Sequence, residues 1–285
     1  MVCVTRAARG TLVGLVVVAV LGGIALYFVA KNGSHPFHLP RSAGCTVSNA
    51  DTNVGLDLTQ MSNAATITAV GIGRKVPDRA VVVALATALQ ESKLENLDGG
   101  DRDSVGLFQQ RPSQGWGTPE QIADPRYAAK KFYTALLKVK GWQKMRVTEA
   151  AQKVQRSAYP EAYQKWADEA EVIANALLGK DPAAVRCTLP DADGEVTDLG
   201  ALSEVAEAMK LDYGSVSATA DTGAKAVLVS ATDATKGWAY AHWLVARAAD
   251  HGVASVTFAG RVWTADSGEW KPAAVNDASR VIAAL

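Results

Sequence analysis

Residues 80–89 read AVVVALATAL, and this almost wholly apolar stretch ends one residue before Glu91-Ser92. At helical spacing the run has no polar face, so it reads as a buried helix with one acid at its mouth. Pro77 suits the first turn of that helix, where its missing N–H costs nothing. Fifteen residues past Glu91 comes Gly106-Leu107-Phe108-Gln109, inside a segment rich in glycine and proline, and a tight turn carrying a glutamine is expected there. A carboxyl group at a helix mouth loses water, which disfavours its charged form. The partial negative charge of a helix C-terminus acts in the same direction. An acid kept neutral can donate a proton, the first requirement for opening a glycosidic bond with a single carboxyl group.

The N-terminus sets the address. Thr11–Ala30 (TLVGLVVVAVLGGIALYFVA) is twenty residues without a charge, enough to cross the ~30 Å hydrocarbon layer as a helix. Arg6 and Arg9 precede it, so a cytoplasmic stub is expected, with the bulk of the chain on the extracytoplasmic side of the cell membrane. Lys31 and Arg41 on the far side weaken that asymmetry. The rival is a cleaved leader, but the apolar run is longer than a usual leader core and no clean A-x-A site follows it. Ser42-Ala43-Gly44-Cys45 hints at a lipoprotein box, yet it lacks the aliphatic residue three before the cysteine. A retained, single-pass anchor is the expectation.

Cys45 and Cys187 fall on the exported side and bracket Glu91, which makes them a disulfide candidate; two unpaired thiols are the alternative. His35, His38, His242 and His251 form no cluster with metal-ligand spacing, so no metal and no cofactor are expected. The formal charge is zero, which gives no ground for a nucleic-acid partner.

With 48% hydrophobic residues the chain can bury real cores, and its length suits about two small domains. Residues 31–57, rich in Gly, Ser, Pro and Asn, read as an extracellular stalk. Helical patterning then runs from 58 to 180. A helix is expected over Leu58–Val70, then the Glu91 helix, then a loop over Asn96–Gly117. Asp124-Pro125 looks like a cap plus first-turn proline. Thr148 is a candidate cap for a helix carrying Ala150 and Val154, and Pro160 for the start of another carrying Trp166, Ile173 and Leu177. Residues 181–198 read as a linker. From 199 to 285 strands (Ala226–Ser230, Ala254–Phe258, Arg261–Thr264) alternate with helices near 201–210 and 237–250, suggesting a small α/β module. The fold class is α+β.

The middle of the chain resembles the lysozyme-like superfamily of lytic transglycosylases and goose-type lysozymes. The residues that carry the resemblance are Ala88-Leu89-Gln90-Glu91-Ser92, then Ser104, then Gly106-Leu107-Phe108-Gln109, and it covers roughly Leu58–Leu178. It implies that Glu91 is the catalytic acid/base, that Ser92 supports its carboxylate, and that Gln109 hydrogen-bonds the sugar. The family's later Ala-Tyr-Asn stretch is replaced here by Val154-Gln155-Arg156-Ser157-Ala158-Tyr159. Either Tyr159 or Gln155 takes over its polar contact. Gly100-Asp101-Arg102 resembles the stretch of goose-type lysozymes whose acid places a water, so Asp101 is a second catalytic candidate.

Hydrolysis with inversion needs a second carboxylate about 6.5–9.5 Å from the acid, and Asp98, Asp101 and Asp103 are the candidates. Without one, Glu91 must donate a proton and then take one from the sugar's C6 hydroxyl, giving a 1,6-anhydro product. That non-hydrolytic route is the family's usual one. Against this stand plainer readings. An isolated helix-end glutamate is most often a solvated surface residue, and Asp101 with Arg102 a solvated turn. Trp116, between glycines, is either a sugar-stacking platform or a loop residue tucked into the core.

In the last segment, Trp238, Trp243, Trp263 and Trp270 stand in a stretch that weakly resembles a domain of actinobacterial cell-wall proteins related to zinc D,D-peptidases. Its metal ligands are missing, so it is expected to be non-catalytic, either binding wall material or simply packing. The expected substrate is the bond between N-acetylmuramic acid and N-acetylglucosamine in peptidoglycan glycan strands, with cell-wall machinery as further partners. The rival is a membrane-anchored glycan-binding or scaffolding protein with a degenerate cleft.

Overall fold

In the computed structural model, which describes residues 43–190 and 199–285, the first described element is a β-hairpin. Strand β1 (Gly44–Ser48) pairs antiparallel with β2 (Asn53–Leu56) and, on its other edge, with β3 (Val185–Thr188). This corrects the stalk expected up to residue 57. Cys45 and Val47 alternate inward on β1, and Val54 and Leu56 on β2, so four short apolar positions supply the period of two that the glycine-rich composition hid. The turn between them is closed by Asn49, whose Oδ1 accepts from the N–H groups of Asp51 and Thr52. The expected linker likewise contains β3. The anchor at Thr11–Ala30, the first part of the expected stalk and residues 191–198 lie outside the described residues. Among the described residues no helix is long and apolar enough to cross a membrane.

Helix α1 (Leu58–Gly73) starts on a reciprocal cap: the Asp57 carboxylate accepts from the Gln60 N–H, and the Gln60 side chain accepts from the Asp57 N–H. Every residue from Met61 to Gly71 is buried, so α1 is the central rod of the molecule. Helix α2 (Asp78–Ser92) is the one read from residues 80–89, with Pro77 standing just before its first turn. Two short elements follow the loop: α3 (Pro119–Ile122) and α4 (Pro125–Leu136), the latter capped by Asp124 as expected. Helix α5 (Val147–Gln155) begins at Arg146, whose N–H is taken by Glu149. Thr148 is not its cap. It is fully buried and donates to the carbonyl of Pro160. Pro160 opens a turn rather than a helix. A 3₁₀ turn, Gln164–Trp166, leads into α6 (Ala167–Leu177), which Gly179 ends at φ +78°.

The remaining residues build α7 (Leu199–Tyr213), α8 (Ala234–Ala246) and α9 (Ala248–His251) around six strands: β4 (Ala218–Asp221), β5 (Ala226–Ser230), β6 (Ser255–Phe258), β7 (Arg261–Thr264), β8 (Trp270–Pro272) and β9 (Arg280–Ala284). The sheet order is β4-β5-β9-β6-β7-β8, antiparallel throughout. The strands and helices alternate as expected, and β9 slots between β5 and β6 and runs against both. The whole is an α+β fold with one continuous apolar core from β1 to β9.

Two covalent or charged links tie distant segments together. Cys45 and Cys187 form a disulfide across directly opposed positions of β1 and β3. Asp212, at the end of α7, has no exposed side-chain surface and accepts from Arg126 of α4, Arg247 beyond α8, the Trp243 indole and Thr66 of α1. A buried carboxylate persists only with such a full set of partners. Trp238, Trp243 and Trp263 are buried in the core and the Trp270 indole donates to the Val185 carbonyl, so these tryptophans pack the module rather than face out.

Candidate functional site

Glu91 stands on the last turn of α2, and the reversal after it is unusually constrained. Lys93 and Leu94 are both left-handed, at φ 59° and 64°, a conformation that costs non-glycine residues roughly 1 kcal/mol or more each. The compensation is visible. Leu94 is fully buried, its N–H returns to the Ala88 carbonyl, and Lys93 N–H returns to Leu89. Two side chains of α1 then take the outward carbonyls: Gln60 donates to Lys93 and Asn63 to Leu94. The helix end is thus pinned to the central rod, and Glu91 with it.

The Gly106–Gln109 turn closes against that end. Ser92 does not touch the Glu91 carboxylate; its hydroxyl is within bonding distance of the carbonyls of Ala88 (3.1 Å) and Leu107 (2.8 Å), so it fastens the turn to the helix. Gly106 takes φ +78°, and a Cβ there would lie 2.8 Å from the Ile122 carbonyl; only glycine fits. Gln109 folds back, its amide donating to the Gly106 carbonyl and lying against Gly100, where a Cβ would meet its Oε1 at 1.7 Å. Ser104 is buried below the loop.

Onto the half-buried Glu91 two donors converge. Tyr163 gives its hydroxyl hydrogen to Oε1 at 2.6 Å, and the Gln155 amide gives to the same oxygen at 3.1 Å and to the Phe108 carbonyl at 2.7 Å. Burial first, and then the neighbouring Glu91 charge, push the Tyr163 phenol well above its ordinary value, so it stays a donor. Among the described residues nothing donates to Oε2. Oε1 is therefore the held oxygen, and Oε2 is left without a donor among the described residues.

The sequence left Tyr159 or Gln155 to make this contact. Gln155 makes it; Tyr159 is 76% exposed. Tyr163 was missed. It is the next tyrosine along, and the non-helical turn after Pro160 aims it back at α2. Asp101 stands in solvent, its side chain 93% exposed, with Arg102 4.0 Å away. Asp103 is committed elsewhere. It accepts from the Ser113 N–H, the Arg111 guanidinium and the Ser113 hydroxyl, which hold it far below the usual carboxylate range. Trp116 is half-buried against the core, with its carbonyl taken by Tyr127, which is the tucked-in loop residue rather than a free platform. No group of ligating side chains able to hold a metal ion occurs among the described residues. No protein-family model matches the chain, and no curated protein matches it.

Proposed function

We propose that this chain cleaves the glycan strands of peptidoglycan between N-acetylmuramic acid and N-acetylglucosamine, with Glu91 as the sole acid/base, as a lytic transglycosylase tethered to the cell membrane. The observation that carries the reading is the double clamp on Oε1 by Tyr163 and Gln155, which presents the other oxygen of one glutamate. In the first step Oε2 gives its proton to the glycosidic oxygen, the bond to C1 breaks and the leaving sugar departs as an alcohol. In the second step the Glu91 carboxylate takes the proton of the C6 hydroxyl while O6 bonds to C1. Glu91 ends protonated as it began, and no water is consumed. An inverting hydrolase needs a base for water. Asp98 and Asp101 stand in solvent and Asp103 is fully hydrogen-bonded, which favours the cyclising route.

One observation favours a non-cleaving scaffold with a degenerate cleft instead: Gln109, the expected sugar contact, turns one of its two amide N–H groups to the Gly106 carbonyl. Incubation of the full chain, in detergent, with purified sacculi separates the two. Release of muropeptides lighter by one water than their hydrolytic counterparts, and its loss in Glu91→Gln, is the expected result. Sacculus binding without release sinks the enzyme, and release of full-weight products sinks cyclisation.

A further inference from the structure

Away from Glu91, where the ends of α1 and α6 meet α8, lie two adjoining clefts of about 230 and 280 Å³. They share Ile72 of α1, Lys75 just past it, and Lys236 and Tyr240 of α8. A spacing of four residues sets Lys236 and Tyr240 on one face of that helix. Val76 and Ala239 extend the apolar wall of the first cleft. Tyr240 is only 8% exposed, and the Tyr213 ring braces it edge-on at 5.0 Å. Yet no described residue hydrogen-bonds to its hydroxyl, which opens on the cleft. A phenol so placed ordinarily has a partner. Burial, and then the Asp233 charge, push it above its ordinary value, so it remains a donor.

Three lysines line the first cleft. Lys180 pairs with Asp78 at 2.7 Å, and Lys236 lies 3.8 Å from Asp233 and donates to the Thr232 hydroxyl at 3.0 Å. Lys75 has no ion pair among the described residues. Three positive charges against two negative ones leave a single charge uncompensated. A carboxylate supplies that one charge and can accept from the phenol as well. A phosphate brings up to a second negative charge for which no cation is left. A neutral apolar molecule leaves Lys75 and the phenol unanswered. The volumes lie below or at the edge of ordinary small-molecule sites, which limits the apolar body to about one aromatic or branched side chain. We propose that this cleft binds a small monocarboxylate with a compact apolar body, its carboxylate on Lys75 and the Tyr240 hydroxyl and its body against Ile72, Val76 and Ala239. The site is independent of the chemistry at Glu91.

The test is calorimetric titration of the full chain, in detergent, with N-acetyl-phenylalanine, its neutral amide, and acetate. The acid is expected to bind roughly tenfold more tightly than the amide, whose matching apolar body also corrects for uptake by micelles. Acetate, which has no such body, is expected to bind more weakly than the acid. Tyr240→Phe keeps the ring and is expected to weaken the acid about tenfold. Lys75→Gln is expected to weaken it about fivefold, because that ammonium is exposed. Unchanged melting midpoints report that both variants are folded, and Lys271→Gln on β8 is expected to alter nothing. A hexapeptide ending in a free phenylalanine carboxylate separates two sources of the same chemistry. Binding as tight as that of the small acid assigns the site to a chain terminus, and exclusion assigns it to a free acid. Equal affinity for acid and amide, no binding of the acid, or full acid affinity retained in both Tyr240→Phe and Lys75→Gln overturns the site.

Discussion

Tyr163 donates its phenolic hydrogen to Oε1 of Glu91 across 2.6 Å, although 72 residues separate them in the chain. The contact ties the end of α2 to the turn before α6. It converts a glutamate with rotational freedom into one with a held oxygen and a presented one.

Tyr163→Phe removes only that hydrogen bond and keeps the buried ring. A hydrogen bond to a charged group contributes about 1.5–3 kcal/mol, so muropeptide release is expected to fall roughly tenfold to a hundredfold in kcat, with KM nearly unchanged. Gln155→Ala is expected to act in the same direction, because it frees both Glu91 and the Phe108 carbonyl. Steady-state kinetics on defined glycan strands measures the split. A loss confined to KM contradicts the positioning role of Tyr163.

Much of this arrangement was readable in the residues, and the failures share a cause. The apolar run at 80–89 reads as a buried helix, and the glycine-rich stretch around 106 as a tight turn. Both are local constraints. The pairing of Cys45 with Cys187 and the hairpin around them needed a third strand, Val185–Thr188, from the far end of the helical segment, and composition alone made the hairpin look like a stalk. Tyr163 escaped because its role depends on a non-helical turn after Pro160, where residue spacing alone continues a helix. β9 escaped because five residues at a chain end carry a weak pattern; its place is set by β5 and β6, which close around Val281 and Ala283. The sequence also placed Asp101 at the chemistry by family likeness, while its exposure depends on a loop conformation that no periodicity encodes.

The Cys45–Cys187 bridge closes a segment of 142 residues that contains Glu91. In the chain-entropy picture a loop of that size contributes about 3–5 kcal/mol by restricting the unfolded chain. Reduction, or Cys45→Ala/Cys187→Ala, is expected to lower the denaturant midpoint accordingly and to leave binding and activity intact below the transition. An unchanged midpoint after verified reduction refutes this.

Asp212 should be the most sensitive charge in the fold. Replacing it by alanine strands Arg126, unpairs the Trp243 indole, and leaves Arg247 only its hydrogen bonds to Asp250 and the Thr66 hydroxyl. Removing one member of a buried pair costs about 3–5 kcal/mol. The exposed Arg186–Glu269 pair is the control, and Glu269→Ala is expected to cost less than about 1 kcal/mol. Because the Asp212 partners lie on α1, α4 and α8, Asp212→Ala is expected to depress Glu91-dependent activity and overall melting together. Similar costs for the two substitutions in chemical denaturation would show that the buried network is not a principal support.

His242 gives the fold a pH dependence of known sign. It is completely buried, its Nε2 accepts from the Ala184 N–H at 3.1 Å, and its Nδ1 lies 2.7 Å from the Ala176 carbonyl. An obligate donor at Nε2 fixes the proton on Nδ1, so the neutral ring satisfies both neighbours and a second proton would oppose the Ala184 N–H. Burial pulls its value down from 6.5 to about 4, with the Ala176 hydrogen bond acting oppositely. The folded value lies below the unfolded one, so the stabilisation is present above pH 6.5 and is lost as pH falls from there toward 4. At about 1.4 kcal/mol per pH unit this amounts to roughly 3 kcal/mol. His242→Gln is expected to be less stable at neutral pH but to lose less stability on acidification than the parent. Denaturant midpoints of both chains between pH 7 and 4.5 measure the difference, and parallel curves would remove His242 as the source.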